Sequence, residues 1–167
     1  MAKSAILGSG EDATTYHLVN LLLHAANAVL VLLLVRRLAD RLDVAWVAAA
    51  LFAVLPVNTE AVTNIVGRAD LLAALFVLVG GWCYLRAAEG HGGNKAAWLV
   101  AVGSAACLGV LSKENAIMIL GFVVLYDGLW RVPNLPGTSW RQRLIGAVRK
   151  FGLRDWLALL PAMVLLL

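Results

Sequence analysis

From Leu55 to Asp70 the chain reads Leu-Pro-Val-Asn-Thr-Glu-Ala-Val-Thr-Asn-Ile-Val-Gly-Arg-Ala-Asp, a long polar interruption in a very apolar sequence. Glu60, Arg68 and Asp70 place ionisable groups there, next to apolar runs on both sides. A second interruption, Ser112-Lys113-Glu114-Asn115, comes later. Ionisable groups beside hydrocarbon mark a functional site by default. Glu60, Asp70 and Glu114 could serve as a base, as metal ligands or as substrate contacts. Arg68 and Lys113 could bind an anionic phosphate, Arg through its planar fork and Lys as a point charge. His17 and His24, upstream, could hold hydroxyls or phosphate. Carboxylates with cations at a membrane surface suit a lipid-linked phosphate donor and a polar acceptor. No Walker loop, dinucleotide fingerprint, zinc motif or Gly-x-Ser-x-Gly competes with that reading. No metal site and no covalently bound cofactor is expected, and the need for a divalent ion is left open.

The elements that must position these residues are membrane helices. Hydrophobic residues make up 62% of the chain and charged residues 14%, far from the soluble norm. The mean hydropathy of +0.84 agrees. The expected fold class is therefore all-α, a polytopic membrane helix bundle of about five complete spans and one truncated span. The net charge of +4 is no sign of nucleic-acid binding, because in a membrane protein the placement of charge matters more than its sum. Cys83 and Cys107 lie in apolar runs without metal-ligand spacing and read as small buried hydrophobes.

Residues 1–15 form a polar lead-in. The first span is Tyr16 to Leu38, and its His17, Asn20, His24 and Asn27 recur at steps that put them on one helical face. That stripe faces either a wet cavity or neighbouring helices, which it would hydrogen-bond. A second apolar run, from Val44, meets Pro56 after too few residues to cross alone, so the helix kinks or stops there. Either way Asn58, Thr59 and Glu60 would wall a cavity open to one side. The third span starts at Asp70 or Leu71, with Asp70 as its N-cap. Short spans over 96–111 and 116–130 flank Lys113-Glu114. A basic loop covers 131–155, with a surface amphipathic helix over Arg141 to Phe151. A sixth apolar run begins at Trp156.

Alternating these spans from an outer N-terminus leaves only Lys3, Arg68 and Lys113 of the 14 Lys and Arg residues outside. That is the positive-inside distribution. Trp46, Trp82, Trp98, Trp130 and Trp156 fall near the inner interface, as an aromatic belt would. The Asn58–Asp70 and Ser112–Asn115 stretches then share the outer (periplasmic or lumenal) face.

Three blocks carry a family resemblance. They are Tyr16-His17-Leu18-Val19-Asn20-Leu21-Leu22-Leu23-His24 with Asn27-Ala28; Leu51 to Val62 with Val66-Gly67-Arg68-Ala69-Asp70-Leu71-Leu72-Ala73; and Leu111 to Ile117 with Tyr126-Asp127. Together they resemble the transmembrane and tetratricopeptide-repeat O-mannosyltransferases and their bacterial relatives. The resemblance implies a GT-C membrane fold. It implies transfer of a sugar, typically mannose, from a polyprenyl or dolichyl phosphate carrier to Ser or Thr hydroxyls of an acceptor protein. The partners implied are the bilayer, the lipid-linked sugar and the acceptor. By the same analogy Glu60, Arg68 and Lys113-Glu114 line the donor and acceptor cavity.

The chain departs from the family pattern in reading Leu55-Pro56-Val57-Asn58 where His-Pro-Val-His is usual. The family's first helix and its acidic catalytic loop would precede Met1, and further helices and repeats would follow Leu167. The expectation is therefore a fragment that does not catalyse alone, with its catalytic carboxylates elsewhere and Glu60 the one catalytic candidate in it. The alternative is a membrane scaffold or accessory remnant that kept the helices and lost the chemistry. The membrane itself is either a bacterial inner membrane or that of the endoplasmic reticulum.

Overall fold

The structure, a computed structural model, describes residues 13–55, 67–89, 93–131, 139, 142, 145 and 153–165. No strand occurs among them. The helices are α1 (Ala13–Ala39), α2 (Leu42–Val54), α3 (Arg68–Glu89), α4 (Gly93–Ser112), a 3-10 turn (Glu114–Ile117), α5 (Met118–Tyr126), a π-helical turn (Asp127–Arg131), α6 (Leu153–Leu157) and α7 (Leu160–Val164). Tyr16–Ala39, Arg68–Glu89 and Asn94–Ser112 are 24, 22 and 19 residues long and apolar enough to cross a membrane. At 1.5 Å per residue each reaches about 30 Å of hydrocarbon or close to it. The molecule is a multi-pass integral membrane protein built as an all-α bundle. The lead-in over 1–12, Pro56 with its loop through Val66, and most of the basic loop with its amphipathic helix lie outside the described residues.

The chain divides into two compact units, Met1–Leu71 and Leu72–Leu167. In the first, α1 and α2 form a helical hairpin closed by Asp40 and Arg41. Asp40 takes φ 51°, the left-handed conformation in which helices commonly end and which Asp tolerates better than most residues. Arg41 is extended, and its guanidinium pairs with Asp43 in solvent. Ala45 and Ala49, one turn apart on α2, are 0% and 6% exposed. Their small side chains let the helices approach closely, as membrane helix pairs generally require.

In the second unit α3 and α4 pack through small residues. A Cβ on Gly80 would stand 3.4 Å from Ala105 and would collide with Ile119. A Cβ on Gly109 would stand 2.8 Å from Ala116 and 3.2 Å from Phe76. The core gathers Cys83, Tyr84, Val102, Ala106, Ile119, Val123, Leu159 and Ala162. The sixth apolar run is not one helix. It breaks between α6 and α7, where the Leu159 amide bonds the Trp156 carbonyl at 2.9 Å and Pro161, which has no amide hydrogen, stands in the first turn of α7. Both cysteines are free; Cys83 is buried and Cys107 half-buried.

Candidate functional site

In the first unit the polar stripe of α1 is the organising feature. Asn20, His24 and Asn27 are 1%, 8% and 0% exposed, whereas His17 is exposed. The buried face thus drops His17 and takes Tyr16, half-buried, at its outer end. His24 places Nε2 3.1 Å from the Ala53 carbonyl oxygen and stacks on Phe52 at 5.5 Å. Ala53 lies in the last turn of α2, where helix carbonyls lack intrahelical partners. Asn27 Nδ2 donates to the Leu71 carbonyl at 3.0 Å, in the first turns of α3. The stripe therefore hydrogen-bonds both neighbouring helix ends, the interhelical role open to such residues in membranes.

Arg68 is the first residue of α3. Its guanidinium lies 4.7 Å from the centre of the Tyr16 ring, within cation–π range. Its Nε makes a long contact of 3.5 Å to Asn20 Oδ1. No ion pair among the described residues involves Arg68. A half-buried guanidinium at a helix N-terminus sits where the backbone amides also favour an anion. Asp70 is not the N-cap expected from the sequence. The helix starts two residues earlier, so Asp70 lies inside its first turn, where a carboxylate still complements the dipole. Glu60 and Asn58 lie outside the described residues.

Lys113 and Glu114 belong to the second unit. Lys113 ends α4 by adopting extended backbone, φ −162° and ψ 139°. Its amide still bonds the Gly109 carbonyl at 2.9 Å, and its own carbonyl accepts from the Ala116 amide at 3.0 Å, opening the 3-10 turn. The reversal brings Ala116 against Gly109, which only a glycine there permits. Lys113 is half-buried and Glu114 exposed. No group of three or more His, Cys, Asp or Glu among the described residues could hold a metal ion.

A buried polar cluster in the second unit was largely hidden from sequence reasoning. Tyr84 donates its hydroxyl to the Asp127 carboxylate, whose oxygens lie 2.9 and 2.8 Å away. Arg131 Nη1 stands 3.1 Å from Asp127 Oδ1 and 3.1 Å from Asp155 Oδ2. Lys95 reaches Asp155 Oδ1 at 2.8 Å, and the Trp156 indole donates to Asp127 Oδ2 at 3.3 Å. Among the described residues the cluster holds two carboxylates and two cations, a charge balance that lowers the penalty of burying them. Only the Asp127–Arg131 spacing of four was visible in the sequence as a helical ion pair. The others come from distant helices, and Arg131 and Asp155 lie in helical turns rather than in the loop.

Residues 3–132 match the dolichyl-phosphate-mannose-protein mannosyltransferase family. Among curated relatives, Protein O-mannosyl-transferase tmtc2 of Xenopus laevis is 37% identical over 123 residues, 72% of this chain and 15% of its own length. Protein O-mannosyl-transferase TMTC2 of Homo sapiens is 38% identical over 71% of this chain and 14% of its own. Tmtc2 of Drosophila melanogaster is 38% identical over 83% of this chain and 15% of its own. The chain thus spans about one seventh of the length of these relatives. No solved structure matches it. A family match over most of the chain and the shared identity with these relatives have one meaning: the chain belongs to the protein O-mannosyltransferase family.

Proposed function

We infer that this chain is part of a membrane glycosyltransferase that moves a sugar, mannose by analogy with its relatives' names, from a polyprenyl or dolichyl phosphate carrier to Ser or Thr hydroxyls of proteins on the outer or lumenal face. The observation that carries this reading is Arg68. It stands at the start of α3 on the Tyr16 ring and is paired with no carboxylate among the described residues. A planar fork of donors in that setting suits a phosphate oxygen pair. The positive-inside distribution supports an outer-face position for Arg68 and, separately, for Lys113 and Glu114. His24 and Asn20 then serve the site by supporting helix ends and Arg68, and Glu60 remains the candidate carboxylate.

The test uses the full-length protein that carries this chain, in membranes, with a lipid-phosphate mannose donor and an acceptor peptide. Arg68→Ala, Lys113→Ala and Glu60→Ala should each abolish transfer while the protein stays folded by circular dichroism. Unchanged transfer in all three would remove the site assignment. Absence of transfer by the parent protein with any lipid-linked sugar would favour the scaffold alternative.

A further inference from the structure

The stripe of α1 contains two hydrogen-bond acceptors for which the described residues supply no donor. A carbonyl oxygen only accepts, so the His24 nitrogen 3.1 Å from Ala53 O must carry the hydrogen, and that nitrogen is Nε2. In a neutral imidazole this leaves Nδ1 as a bare lone pair. Asn27 is fixed in the same way. Its Nδ2 donates to Leu71 O, which leaves Oδ1 as the acceptor end. His24 Nδ1 and Asn27 Oδ1 are both buried, and neither has a hydrogen-bond partner among the described residues. The side chains are three residues apart on one helix, so their Cβ atoms are about 5–6 Å apart on one face. Two acceptors cannot satisfy each other.

We propose that His24 Nδ1 and Asn27 Oδ1 form a binding site for one small neutral molecule with two donor hydrogens, a buried water that donates one hydrogen bond to each. The chemistry narrows the choice to this. Lipid chains have no donors. A cation would have to enter a buried membrane site where no carboxylate pairs with the stripe among the described residues, which is costly. Water is the smallest neutral double donor, and buried waters typically rest on two to four polar partners. The water also sets the histidine. By donating to Nδ1 it holds the tautomer with hydrogen on Nε2, and that hydrogen reaches the Ala53 carbonyl at the end of α2. A continuous chain of hydrogen bonds then runs from Ala53 through His24, the water and Asn27 to Leu71. His24 is thus a positioning residue for the two helix ends.

The experiment is solid-state NMR on the full chain in phospholipid vesicles, with histidine labelled in nitrogen and carbon. The His24 signals are identified by their loss in His24→Gln, a variant that keeps one donor and one acceptor. The expected spectrum shows a neutral ring protonated at Nε2, with magnetisation passing from an ordered water to Nδ1. That transfer should be lost in Asn27→Leu, which removes the second acceptor. No transfer in the parent protein would overturn the proposal. So would a proton on Nδ1 bonded directly to Asn27, because the histidine would then be its own donor. Should Asn27→Leu not fold, the parent spectrum decides alone.

Discussion

Replacing Arg131 by methionine removes one charge from a buried, neutral cluster while keeping an unbranched side chain in its place. Arg131 is 8% exposed at its side chain and stands 3.1 Å from carboxylates that are 12% and 1% exposed. At an effective dielectric near 20, each attraction is worth about 5 kcal/mol. Desolvation of the guanidinium offsets much of that sum. The net loss should match the ~3–5 kcal/mol found when one partner of a buried pair is removed. It should not exceed that range, because Asp155 keeps Lys95 and Asp127 keeps the Tyr84 hydroxyl and the Trp156 indole. Adding Asp155→Leu restores neutrality, with Lys95 and Asp127 remaining. The double variant should therefore be less destabilised than the two singles combined, by at least about 1.5 kcal/mol. Reversible unfolding in mixed micelles, followed by circular dichroism and tryptophan fluorescence, measures all three. An Arg131→Met loss under about 1 kcal/mol, or strict additivity, would refute the view that this cluster holds the second unit together.

Gly103→Ala would place a Cβ 2.6 Å from the Ala158 carbonyl oxygen, a backbone atom that cannot rotate away, so a loss of about 1–3 kcal/mol is expected in the same assay. Gly121→Ala, with nothing within 4 Å, should be neutral or stabilising by up to about 1 kcal/mol; equal effects at the two sites would count against close packing of α4 on the turn between α6 and α7. Arg68→Lys keeps the charge but not the fork, so sugar transfer by the full-length protein should fall well below the parent's and stay above that of Arg68→Ala. In the solvent-exposed first turn of α2, the Arg41 guanidinium and then the Val44 amide hold the Asp43 carboxyl below its ordinary 3.8. The small stabilisation this gives is present above about pH 3.8 and is lost as pH falls through the lower folded value. In Arg41→Gln the carboxyl carbon titration should move back toward 3.8; an unmoved midpoint would exclude the pair as the cause.

Much of the fold was legible because the relevant forces are local. An apolar run of sufficient length can lie in a bilayer only as a helix, so the spans beginning at Tyr16, near Asp70 and at Ala96 follow from composition alone. The breaks near Arg41 and at Lys113 were legible for the converse reason, since charges and polar residues end a hydrocarbon run. Family membership was legible too, in blocks whose order and residue types survive in the chain. The long polar stretch beginning at Leu55 marked where to look for chemistry, and Arg68 within it is the residue whose surroundings the structure now supplies.

Tertiary structure decided which residues of a helix meet a partner. Helical spacing grouped His17 with Asn20, His24 and Asn27, but which part of the circumference is covered depends on where α2 and the start of α3 lie. They cover Asn20, His24 and Asn27 and leave His17 outside. Spacing also could not show that Arg68 would rest on Tyr16, 52 positions earlier. Asp155 read as the end of a basic loop because nothing near it in sequence explains a buried carboxylate. Its partners, Arg131 and Lys95, are 24 and 60 positions away. A charge in an apolar region survives only with a counter-charge in contact, and contact between distant helices is a property of packing that no local pattern encodes.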